Sequence, residues 1–137
     1  MFNGSYIAGY GLIATVEKFL NLYLPYSVTG TETRKNITMS QFKEATGVNL
    51  VIMGSDLTDG IPRIFSALTA PDLPVKYAVR ISSGIPFYFP PLYWDPKWGK
   101  YLGESINEHM LVDGGVLWNL PIGVLAARED IQLKYLG

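Results

Sequence analysis

His109-Met110-Leu111-Val112-Asp113-Gly114-Gly115 is the stretch whose reading decides the fold. Residues 109–112 read as a short buried strand that ends in Asp113-Gly114-Gly115. An acid follows at the strand's carboxyl end, where open α/β sheets place their sites. Two glycines come next, and glycine tolerates positive φ and close approach by another backbone. Asp113 is therefore expected to meet a partner from a different segment, with Gly114 and Gly115 supplying close amides. The tripeptide alone also suits an ordinary Asp-Gly turn, so the flanks must choose between the two readings.

Working outward, residues 49–53 read as another buried strand, followed by the turn Asp56-Leu57-Thr58-Asp59-Gly60 and a possible strand over 64–68. Pro74 suits the first position of a helix with Val75, Ala78, Val79 and Ser82 on one face and Gly84 at its end. Asn119 and Pro121 open a last helix that runs to about Arg128. Toward the amino end, beyond a start broken by Gly4, Gly9 and Gly11, residues Leu12, Ile13, Val16, Phe19, Leu20 and Tyr23 mark an amphipathic helix that Pro25 ends. Thr38 and Gln41 have capping-box spacing, and Gly47 supplies a left-handed stop. Residues 25–37 read as an exposed, mobile connection, and residues 85–107 as a long surface excursion rich in proline and aromatic rings. Strands alternating with helices argue for an α/β sheet over a sandwich or a bundle.

The chain has 137 residues, 48% of them hydrophobic, enough for a single folded domain. Eleven basic and twelve acidic residues leave a net charge of −1, which disfavours binding to nucleic acid. Without cysteine, neither disulfides nor thiolate metal sites are available. The opening residues lack the basic region of a signal peptide, and no apolar run approaches the ~20 residues of a membrane span. A cytoplasmic or peripheral-membrane location is the expectation.

Three separated segments carry a family resemblance. Residues 77–86 (Tyr-Ala-Val-Arg-Ile-Ser-Ser-Gly-Ile-Pro), then Phe89-Pro90-Pro91, then residues 111–122 (Leu-Val-Asp-Gly-Gly-Val-Leu-Trp-Asn-Leu-Pro-Ile) resemble the second half of patatin-like phospholipases. Ser55-Asp56-Leu57-Thr58-Asp59-Gly60 is similar to the central segment of that family, and the likeness covers residues 9–127. It implies one partial domain over 1–137, part of a three-layer α/β sandwich with a mainly parallel central sheet. It further implies a lipid acyl hydrolase with a Ser-Asp dyad, in which Asp113 matches the base and Gly114 and Gly115 complete its motif. The substrate would be a lipid or other acyl ester, met at a peripheral membrane or lipid-droplet surface, with no cofactor and no metal. The family's nucleophile lies in a Gly-x-Ser-x-Gly elbow, and no serine here has glycine both two before and two after it. The nucleophile is thus expected from a missing N-terminal segment of the same protein, with the 137 residues inactive alone and the sheet left with an exposed apolar edge. The alternative is a non-catalytic lipid-binding or protein-interaction relative that has lost the dyad.

His109 lies four residues before Asp113, ~13 Å along one strand, so it is expected to be a strand-end residue and no part of a triad. Phe87, Tyr88, Phe89, Tyr93, Trp94, Trp98 and Tyr101 suit a lip at a lipid entrance, or else a satellite core folded back on the domain. Asp56 and Asp59, with no histidine near them in sequence, give too few ligands for a metal and suit a capped turn. Ser82 and Ser83 fit a helix end, and Arg80 and Arg128 a solvated or paired role.

Overall fold

The computed structural model describes residues 2–83 and 90–115, with side chains from residue 11 onward. Gly84, Phe87, Tyr88, Phe89, Arg128 and the helix expected over 119–128 lie outside these residues. Helix α1 (Phe2–Tyr23) begins earlier than the glycines suggested. An interior glycine costs only about 1 kcal/mol against alanine, which a 22-residue helix packed on its neighbours absorbs. Of the expected apolar face, Leu20 is buried and Val16 packs against the core, whereas Phe19 and Tyr23 remain 61% and 70% exposed.

The stretch read as a mobile connection is pinned by one side chain. Arg34, on the short helix α2 (Thr31–Lys35), is buried. Its guanidinium donates to the carbonyls of Asn21 (3.1 Å), Leu24 (2.6 Å), Pro25 (2.8 Å) and Val28 (2.8 Å). Those carbonyls lie at and just beyond the end of α1, where the helix cannot satisfy its own acceptors. Helix α3 (Met39–Thr46) starts on the expected capping box of Thr38 and Gln41 and stops at Gly47, whose φ is 73°.

Four strands make the sheet: β1 (Ile52–Asp56), β2 (Ile61–Phe65), β3 (Leu92–Tyr93) and β4 (Met110–Asp113), in the order β2-β1-β4-β3. Every pairing among them is antiparallel, which corrects the expectation of a mainly parallel sheet. The reason is local: residues 57–60 are too short for a crossover, so β1 and β2 must form a hairpin. Both strands are also displaced by three residues from their expected positions. Asp56 belongs to β1 and its carboxylate accepts from the Thr58 and Asp59 amides, so the turn starts later. The chain leaves β2 at Phe65 because Ser66 and Thr69 build the next turn.

Helix α4 (Val75–Ser82) packs on β1 and β4, with α1 beyond it. Its buried residues are Val75, Ala78 and Ile81 together with Lys76 and Arg80, whereas Val79 and Ser82 are half-buried. Lys76 ties the layer together by binding Glu17 at 2.6 Å and Asn36 at 2.7 Å. Gly54 faces α4, since a methyl group there would fall 2.6 Å from the Phe65 ring and 2.9 Å from Ile81.

Three described rings of the aromatic excursion fold back as core. Trp94, Trp98 and Tyr101 are 1%, 7% and 3% exposed; Trp94 and Tyr101 pack on Phe65, and Trp98 on Trp94 and Tyr77. The Trp94 indole donates to the Gly99 carbonyl at 3.0 Å, and the Tyr101 hydroxyl accepts from the Ile64 amide at 3.0 Å. β2 ends the strand order of the described sheet, and that hydroxyl satisfies one of its edge amides. No helix among the described residues is long and apolar enough to cross a membrane.

Candidate active site at the end of β4

Asp113 is the last residue of β4 and stands opposite Gly54 of β1. Antiparallel partners project to the same side of a sheet, so Asp113 shares the face of Gly54, where Phe65 and Ile81 fill the space of the missing side chain. The carboxylate is half-buried and its Oδ1 accepts from the Gly115 amide at 3.1 Å. Gly114 lies directly on β1: a methyl group there would sit 2.8 Å from the Met53 carbonyl oxygen. Any side chain at this position would therefore push the turn off the sheet. The fully buried Ser55 hydroxyl donates to the Gly114 carbonyl at 3.1 Å. Ser55 had no place in the sequence reading of the site, because only the β1–β4 register brings it to a residue 59 positions away.

A second cluster occupies the other end of the β1–β4 pair. Asp56 is fully buried and its Oδ2 receives Arg63 Nε at 3.0 Å and Nη2 at 2.8 Å. His109 Nδ1 meets the same oxygen at 2.7 Å, and Arg63 also reaches Asp59 at 3.0 Å. Burial pushes the Asp56 carboxyl up, but the His109 bond, the Asp59 amide and Arg63 outweigh it and hold the group below the usual aspartate range. The assumption that no histidine lies near these acids is corrected: Asp56, Asp59 and His109 offer three ligand atoms within 4.8 Å of one another. Arg63 already occupies the position between the two carboxylates that a cation would take, so the arrangement is an ion-pair network closing the hairpin onto β4. His109 serves it from the position just before β4.

The remaining candidates disperse. Trp94 and Trp98 are interior, so they present no rings to a lipid surface, which corrects the lip reading for that pair; their planes are spent on Phe65, Tyr77 and each other. Tyr93 is the described aromatic of that run that stands 54% exposed. Arg80 is buried, donates to the Pro90 carbonyl, and has its pKa pushed down by desolvation. An apolar trough of about 320 Å³ lies between α1, α3 and α4, lined by Val16, Phe19, Leu20, Phe42, Val75 and Val79 among others, and Asp113 does not line it.

The described residues thus form α/β structure with a half-buried carboxylate at the end of an inner strand, followed by a glycine pressed on the neighbouring strand. A family model described as patatin-like phospholipase matches residues 6–126, and the chain belongs to that family. It is similar to the probable lipid hydrolase 463L of Invertebrate iridescent virus 6, at 32% identity over 104 residues, covering 76% of this chain and 29% of that protein. The chain thus spans less than a third of the length of this relative. No solved structure matches.

Proposed function

We propose that the full-length protein is a lipid acyl hydrolase working through a Ser-Asp dyad, with Asp113 as its base and the serine on a part of the polypeptide outside these 137 residues. Asp113 would take the proton of the serine hydroxyl as its oxygen attacks the ester carbonyl, and would return it to the departing alcohol. Water then adds to the acyl-enzyme by the same route and releases the fatty acid. A base held at a strand end accepts one amide at Oδ1, and among the described residues no bond to its other oxygen is found, which supports its pairing with such a partner.

The observation that carries this reading is the Asp113 carboxylate itself: half-buried, held by Gly115, on a turn that admits no side chain at 114. The family membership and the lipid hydrolase relative support the substrate class. Asp113→Asn in the full-length protein should lower kcat on a fatty-acyl ester by about 10²- to 10⁴-fold, the usual contribution of a general base, with unchanged circular dichroism. A folded variant that retains full activity would refute the assignment and leave the non-catalytic lipid-binding reading.

A further inference from the structure

We propose that Ser55 is a positioning residue for Asp113, acting through the single peptide plane between Gly114 and Gly115. This rests on the dyad reading above. The carbonyl of Gly114 and the amide of Gly115 belong to one rigid peptide unit. Ser55 Oγ donates to that carbonyl at 3.1 Å, and the amide on its opposite edge donates to Asp113 Oδ1 at 3.1 Å. Rotating the plane about its flanking bonds would break both contacts together, so the hydroxyl on β1 fixes the direction in which the carboxylate is held.

Three features make the coupling stiff. Ser55 is fully buried and sits mid-strand opposite Val112, one register step from the Gly54–Asp113 pair, so its Cα is set by the sheet. Gly114 is pressed on Met53, which removes slack between the turn and β1. Hydrogen bonds in series also polarise one another: a donor on the carbonyl strengthens the amide as a donor to the carboxylate. Glycine at 114 and 115 would otherwise leave this plane the freest of the segment, because two adjacent glycines restrict it least. The serine supplies the restraint that the glycines lack.

The test compares kinetics of the full-length protein with stability as a separate readout. Ser55→Ala should lower kcat roughly tenfold with KM within twofold, since angstrom-scale misplacement of a reacting group costs up to about a hundredfold. Ser66→Ala is the control: Ser66 is equally buried and hydrogen-bonded to Thr69, remote in register from Asp113, and its loss should lower the melting temperature while kcat stays. Should Ser55→Ala fail to fold, the isosteric pair Ser55→Thr and Ser55→Val answers the same question, with kcat about tenfold higher for the hydroxyl-bearing member. Equal kcat in that pair, or a Ser55→Ala kcat within twofold of wild type beside an inactive Asp113→Asn, would overturn the role of Ser55 alone. Activity surviving Asp113→Asn would instead remove the dyad reading on which it rests.

Discussion

Asp56 shows how much a single buried carboxylate can organise. Its two oxygens serve the Thr58 and Asp59 amides on one side and Arg63 and His109 on the other. The folded protein holds its pKa below the ordinary aspartate value, so its stabilising contribution is complete above the unfolded value and is lost as pH falls through the folded one. Acid unfolding of the full-length protein should therefore lose part of its slope below about pH 4 in Asp56→Asn, which should also be less stable at neutral pH. An Asn variant with the wild-type pH dependence would contradict this account of the network. In the sequence the acid closest to His109 toward the carboxyl end is Asp113, four residues on. The partner His109 finds is 53 residues away, and nothing local in either segment announces that pairing. The placement of Asp113 at a strand end, by contrast, was legible because the apolar run, the acid and the paired glycines are adjacent.

At the scale of elements, the stretches that chemistry punctuates were read well. Thr38, Gln41 and Gly47 bound α3 as expected, because capping is a short-range matter of side chain and amide. Thr38→Ala should cost about 1 kcal/mol in chemical denaturation of the full-length protein. Strand positions were missed by three residues, since an apolar run does not reveal where a carboxylate will draw the turn. Residues 25–37 looked like a loose connection because an arginine among polar residues gives no sign of burial. Its fork reaches four carbonyls, and lysine would offer one ammonium in its place. Arg34→Lys should lower stability by about 2 kcal/mol, and a loss under ~0.5 kcal/mol would show that solvent satisfies those carbonyls as well.

For the whole molecule, the α/β class was legible and the sheet's direction was not. The four-residue turn between β1 and β2 forces a hairpin, but the return of β4 beside β1 is a long-range choice made by packing on α4. The aromatic excursion poses the same difficulty. Rings suited to a lipid boundary also suit a core, and Trp94 and Trp98 are buried there against Phe65 and Tyr77 respectively. Trp94→Ala should consequently cost about 3–5 kcal/mol of stability, while the liposome affinity of the folded fraction stays as it was. A selective loss of liposome binding at full stability would restore the lip.

The central claim is that Asp113 activates a serine carried by the same protein. Labelling the full-length protein with a fluorophosphonate, followed by peptide mass spectrometry, tests it most directly. The account predicts one modified serine outside residues 1–137, labelled at least about a hundredfold more slowly in Asp113→Asn. Labelling of a serine within these residues, or an equal rate in the Asn variant, would contradict it.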